Sequence, residues 1–167
     1  MRWDKSGIPH KGWQYIGVED VGDGITCSSD IPYEECEMCG NEKIRYVHIL
    51  RHPDYQSDLR VGCVCAEKMM DDYLIPKSSE NDLKNMKKRQ KNFMQQEWRY
   101  KESTGNYVLN YKGMFVTIIK SKYGQNFGIV FNNQTYWNFK GTKLFDLDQA
   151  KQAAFFIFDK YFSENNF

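Results

Sequence analysis

Cys36-Glu37-Met38-Cys39-Gly40 and Val61-Gly62-Cys63-Val64-Cys65-Ala66 decide how this chain reads. Four of its five cysteines fall in these two tight pairs. The interval between them has room for one β-hairpin. Ile44-Arg45-Tyr46-Val47-His48-Ile49-Leu50 has the β-branched and aromatic content of a strand, His52-Pro53-Asp54-Tyr55 reads as a turn, and Leu59-Arg60-Val61-Gly62 returns. Two cysteine pairs at the ends of a hairpin outline a closed zinc site, in which thiolates hold the ion tetrahedrally and no position is left for substrate. The expected ligands are Cys36, Cys39, Cys63 and Cys65. Only Val64 separates the last two, whereas C-x-x-C is the commoner chelating step, so His48 or His52, spaced H-x-x-x-H, is the alternative to Cys63. Cys27, alone in a loop rich in Gly and Asp, reads as a free thiol, and His10 as a polar contact in its turn.

The order of elements is treble-clef-like: a Cys-x-x-Cys-Gly knuckle, a hairpin, then a ligand at a helix start. Cys65 to about Leu74 suits that helix, with Ala66, Met69, Met70 and Tyr73 at helical spacing and Pro76 as its stop. A helix N-terminus places partial positive charge near Cys65 and favours thiolate. A redox role for Cys36 and Cys39 fits poorly, because they precede a strand and redox pairs open a helix. The segment from Cys36 to Ala66, through Ile44-Arg45-Tyr46-Val47-His48 and His52-Pro53, resembles small bacterial and phage-borne zinc proteins with no assigned activity. That resemblance implies a structural zinc module in a bacterial or phage setting and carries no catalytic role.

Charge is unevenly spread over the 167 residues. Residues 1–77 hold nine Lys and Arg against fourteen Asp and Glu, a net of −5. Residues 78–103 and residues 104–167 each hold seven against four, a net of +3 apiece. Four thiolates on one Zn²⁺ add about −2 to the acidic part. Phosphate contact needs positive charge, so a polyanion belongs to the second half. Hydrophobic residues at 41% with 16% aromatics exclude a disordered chain. No apolar run approaches the roughly 18 residues of a membrane span. Met1-Arg2-Trp3-Asp4-Lys5 leads into no apolar core, so no signal peptide is expected, and the location is read as cytoplasmic, in a bacterial cell or phage-infected host. Cysteines in that compartment serve metals rather than disulfides.

Three parts follow: an acidic zinc-binding module over 1–77, a basic amphipathic linker helix within 78–103, and an antiparallel sheet plus helix over 104–167. The fold class is α+β. Ser78-Ser79 reads as the cap of the linker helix, about 80–100, whose stripe is Leu83, Met86, Gln90, Phe93, Met94 and Trp98. Lys84, Lys87, Lys88, Arg89 and Lys91 occupy its remaining surface. After Gly105 the period turns to strands at 106–112, 114–120, 127–131 and 135–139, with turn residues at Gly113, Tyr123-Gly124 and Asn132-Asn133. Asp146-Leu147-Asp148-Gln149 reads as a variant capping box opening a final helix that is broadly apolar, through Phe155, Phe156, Phe158 and Phe162.

The stretch Trp137-Asn138-Phe139-Lys140-Gly141-Thr142-Lys143-Leu144-Phe145-Asp146, followed by Ala150-Lys151-Gln152-Ala153-Ala154, resembles the end of the three-stranded-sheet-plus-helix DNA-binding domains of plant ethylene-response factors and phage integrase arms. The resemblance implies nucleic-acid contact through the sheet. Lys112, Lys120, Lys122 and Lys140 are candidates for phosphates, and Tyr107, Tyr111, Tyr136 and Trp137 for stacking on bases. Residues 104–167 contain no arginine, the usual reader of guanine, which argues against base-specific recognition.

The expected function is a zinc-stabilised, non-catalytic nucleic-acid-binding accessory or regulatory protein. The alternative is a protein-interaction module, such as a phage-borne inhibitor of a host defence system. A His-metal nuclease is the weakest fit. His48 or His52 would be its base, yet the helix after Cys65 offers only Glu67, Asp71 and Asp72 as further ligands.

Overall fold

The computed structural model describes residues 3, 7–25 and 27–165. Of the N-terminal stretch 1–5, all but Trp3 lies outside the described residues. The chain is α+β and divides into two compact units, residues 1–86 and 87–167. Among the described residues no helix is long and apolar enough to cross a membrane.

In the first unit, β1 (Gln14–Asp20), β2 (Tyr46–Arg51) and β3 (Leu59–Val61) form an antiparallel sheet in that order. Helix α1 (Cys63–Met70) follows β3. Val47 and Leu50 of β2, Leu59 and Val61 of β3, and Ala66 and Met69 of α1 meet in one core, joined by Trp13 and Met38. Ion pairs bind the strands to their surroundings. Arg45 reaches both carboxylate oxygens of Asp20 at 2.8 and 3.2 Å, and Arg51 those of Asp58 at 2.7 Å.

The sequence does not announce β1, because Gly17 and a register shift between Tyr15 and Gly17 blur its alternation. Helix α1 also ends earlier than expected. Asp71 takes a left-handed conformation with φ 57° and closes it. Pro76 is no stop. It sits in the first turn of α2 (Ile75–Met94), where a missing N–H costs nothing. Asp72, not Ser78 or Ser79, caps this start, its Oδ1 accepting from the backbone N–H groups of Leu74 and Ile75 at 2.8 and 3.0 Å.

In the second unit, β4 (Arg99–Lys101), β5 (Asn106–Tyr111), β6 (Met114–Lys120), β7 (Phe127–Phe131) and β8 (Gln134–Tyr136) form an antiparallel meander. The short hairpin β9 (Asn138–Phe139) and β10 (Thr142–Lys143) leads to α3 (Leu147–Glu164). Alternation sends Val116, Ile118, Ile129 and Phe131 to one face, as cross-strand pairs Val116–Phe131 and Ile118–Ile129. Phe155 and Phe158 of α3 and Phe93 of α2 complete that core, Phe93 standing 5.1 Å from Tyr111, 5.6 Å from Phe155 and 5.8 Å from Phe158 between ring centroids. The cap of α3 forms as expected: Asp146 Oδ1 accepts from Gln149 N at 2.7 Å, and Gln149 Oε1 accepts from Phe145 N at 3.2 Å. Two departures mark this unit. α2 ends at Met94 rather than near residue 100, and Trp98 leads into β4, which the helical stripe concealed.

Candidate functional site

Cys36, Cys39 and Cys65 bring their sulfurs within 4.8 Å of one another and could hold a metal ion. The knuckle is built by backbone bonds: Gly40 N donates to Cys36 O at 2.8 Å and Cys36 N to Asn41 O at 2.8 Å. Gly40 has φ 70°, a conformation that residues with a Cβ rarely take, and this lets the turn close. The knuckle is tied to β3, where Glu37 N donates to Arg60 O at 3.0 Å. Arg60 also bonds Glu34 at 2.8 and 2.9 Å and Glu19 at 2.8 Å. That guanidinium holds the Glu34 carboxyl below the usual range. Across the hairpin, Gly62 N donates to Cys36 Sγ at 3.4 Å.

The donor set suits a soft or borderline metal, because sulfur ligands bind as thiolates. Cys36 is already biased that way. A hydrogen bond from Cys65, joined by backbone N–H groups of Gly62, Cys39 and Met38, brings its thiol down to about 5 against the opposing effect of burial. Cys65 moves the other way, chiefly because it shares its proton with Cys36. A dication would relieve this competition by making every sulfur anionic.

Cys63 does not join the three. It meets His48 of β2 and Glu80 of α2 in a second cluster, whose ligand atoms also lie within 4.8 Å of one another. The reason is helical geometry. Both Cys63 and Cys65 lie inside α1, and residues two apart on a helix point to opposite sides. A C-x-C step chelates one ion only where the chain is not helical. The histidines do not complete the three-cysteine group either. His52 lies against Trp13, ring centroids 5.3 Å apart, and its Nδ1 accepts from Asp54 N at 3.1 Å.

His48 is fully buried, its Nε2 3.3 Å from Glu80 Oε2. Burial lowers its basicity more than Glu80 raises it, which favours the neutral ring. Glu80 also takes a hydrogen bond from Lys84, whose ammonium lies 4.5 Å from the Tyr46 ring centroid. Cys63 Sγ donates to Glu67 Oε1 at 3.7 Å. Burial first, then Glu67 and Glu80, push this thiol up to about 11. Glu80 is the member of this group that sequence reading missed. Nothing local marks it, since it resembles any exposed acid opening a helix.

The cations expected to meet phosphate are divided. Lys84 is engaged as above, and Arg89 grips Asp159 at 2.7 and 2.9 Å. Lys87, Lys88 and Lys91 lie on α2. Lys112 stands 5.3 Å from the Phe162 ring centroid, and Lys140 stands 5.6 Å from those of Phe139 and Phe156. Lys120 and Lys122, by contrast, line an open hollow of about 880 Å³ together with Lys143, Tyr123 and Trp137. No acidic side chain lines it.

Local structure sets up that hollow. Ser121 N donates to Asn126 O at 2.9 Å, closing a loop that carries Lys122 and Tyr123 beyond the sheet. Tyr123 is 100% exposed. Phe127 N donates to Leu144 O at 2.7 Å, and this bond brings Lys143 alongside. The Trp137 ring rests on Gly128, where an added Cβ would lie 2.7 Å from ring atom Cε3. Neither Lys143 nor Tyr123 was among the expected binding residues: Lys143 comes beside Lys120 only through the folded β9–β10 hairpin, and Tyr123 read as a turn residue.

Set against known proteins, the chain matches no family model, no curated protein and no solved structure.

Proposed function

We propose that this chain is a zinc-stabilised nucleic-acid-binding protein, accessory or regulatory rather than catalytic, acting in the cytoplasm of a bacterial cell or phage-infected host. Zn²⁺ on Cys36, Cys39 and Cys65 props the first unit, and the hollow of the second unit takes a single strand. One observation carries the reading: Lys120, Lys122 and Lys143 share an acid-free hollow with Tyr123 and Trp137. Lysines neutralise phosphates and aromatic faces stack on bases of any identity, which together define a single-strand platform.

Anisotropy titrations of labelled single strands and duplexes across a range of salt test it. Single strands should bind more tightly, with log K falling against log salt at a slope of about −2 for roughly three phosphate contacts. Replacing the three lysines by Ala should flatten that slope. Trp137→Ala should cost ~1–3 kcal/mol with little change of slope. Gly128→Ala should weaken binding too, by tipping the Trp137 ring. Absence of binding to DNA and RNA even at low salt rules the reading out.

A second reading, a protein-interaction module such as an inhibitor of a host system, rests on Tyr73 and Leu74, 59% and 80% exposed in the turn before α2, and on Ile75, 43% exposed at its first position. Recovery of one stoichiometric partner, lost on Leu74→Asp, would favour it.

A further inference from the structure

The cluster formed by Cys63, His48 and Glu80 lies outside the three-cysteine group and has no role in the proposed function. Three elements that are distant in sequence supply it: β2, the first turn of α1, and α2. Their donors are an imidazole, a thiol and a carboxylate, all within 4.8 Å of one another. We propose that these residues form a second metal site for a borderline divalent ion of the zinc class, separate from the one on Cys36, Cys39 and Cys65.

Four observations support this. First, nitrogen, sulfur and oxygen donors are together the ordinary ligand types of Zn²⁺, whereas Mg²⁺ and Ca²⁺ take oxygen alone. Second, the geometry is divided suitably: Lys84 engages one oxygen of Glu80, leaving Oε2 towards His48 Nε2 at 3.3 Å. Third, the surroundings want positive charge. Glu67 and Glu80 both face the thiol, with Lys84 as the nearby cation. Fourth, the group is shielded from water: His48 is fully buried, and Cys63 and Glu80 are half-buried, and such a shell controls the access of solvent to a bound ion.

Three protein ligands leave a fourth position, and Glu67 stands beside it through its contact with Cys63 at 3.7 Å. An ordinary buried His–Glu ion pair would explain two of the three residues. It would not explain a thiol that also lies within 4.8 Å of both.

Metal stoichiometry of the full chain decides the matter. Protein loaded with a small excess of zinc and exhaustively exchanged should retain two equivalents by elemental analysis and by native mass spectrometry. One equivalent in the wild-type chain overturns the proposal. Glu80→Gln keeps the size and one acceptor of Glu80, and should lose one equivalent while circular dichroism is unchanged. Retention of both by Glu80→Gln and by Cys63→Ser places the second ion elsewhere and also overturns it. Cobalt substitution gives an independent readout. Cys63→Ser should remove the smaller part of the sulfur-to-cobalt absorption and leave the three-sulfur part intact. An unchanged spectrum contradicts the assignment.

Discussion

The two units solve the problem of a small core in different ways. The first places two sulfurs and a histidine where a larger domain would have aliphatic side chains: Cys36, Cys65 and His48 are all buried. The second uses rings, with Phe93, Phe131, Phe155 and Phe158 meeting between sheet and helix. Under the proposed metal site, the sulfur-lined core would draw part of its stability from an ion. A ring-lined core is complete in itself. Folding and metal binding should therefore be coupled in one unit and uncoupled in the other.

Removing metal tests that contrast most severely. A strong chelator should open residues 36–70 to hydrogen exchange while β5 to β7 stay protected, since structural zinc contributes on the order of 10 kcal/mol in small modules. Protection unchanged in both units would break the comparison. Next in size is Phe93→Ala, which should destabilise the second unit by ~3–5 kcal/mol and leave any metal binding by the first unchanged. Loss of zinc in that variant would show that the cores are not separate.

The smallest effect concerns the salt links around the knuckle. Arg60 holds the Glu34 carboxyl below its ordinary value, so the ionised form is favoured on folding. Stability from this pair is present above the ordinary glutamate value, about 4.3, and disappears as pH falls through the lower folded value. Both partners are partly solvated, so Glu34→Gln should cost only ~0.5 kcal/mol near neutrality. The gap between variant and wild type in denaturant titrations should close below about pH 4. A gap that widens in acid would reverse the sign.

Much of this was legible from composition and spacing alone. Strands β5, β6 and β7 were visible because apolar residues alternate between clear turn residues, and the Asp146–Gln149 cap because its bonds are local. Cys36, Cys39 and Cys65 could be grouped because a knuckle and a helix start are short-range features. What stayed hidden depends on long-range encounters. β1 pairs with β2 across a loop of more than two dozen residues, and no local pattern says so. Glu80 meets His48 only after α1 and α2 are placed. The fate of Cys63 turned on one fact that spacing does not contain, that the helix had begun by residue 63.

That early helix start has an evolutionary corollary. A single inserted amino acid between Cys63 and Cys65 would bring the later thiol most of the way round the cylinder, onto the same flank as the earlier one. A one-codon insertion or deletion there would act as a toggle, merging two separate sulfur destinations into one or parting them again. Natural variants that differ in length at this point should therefore differ in how many ions they carry.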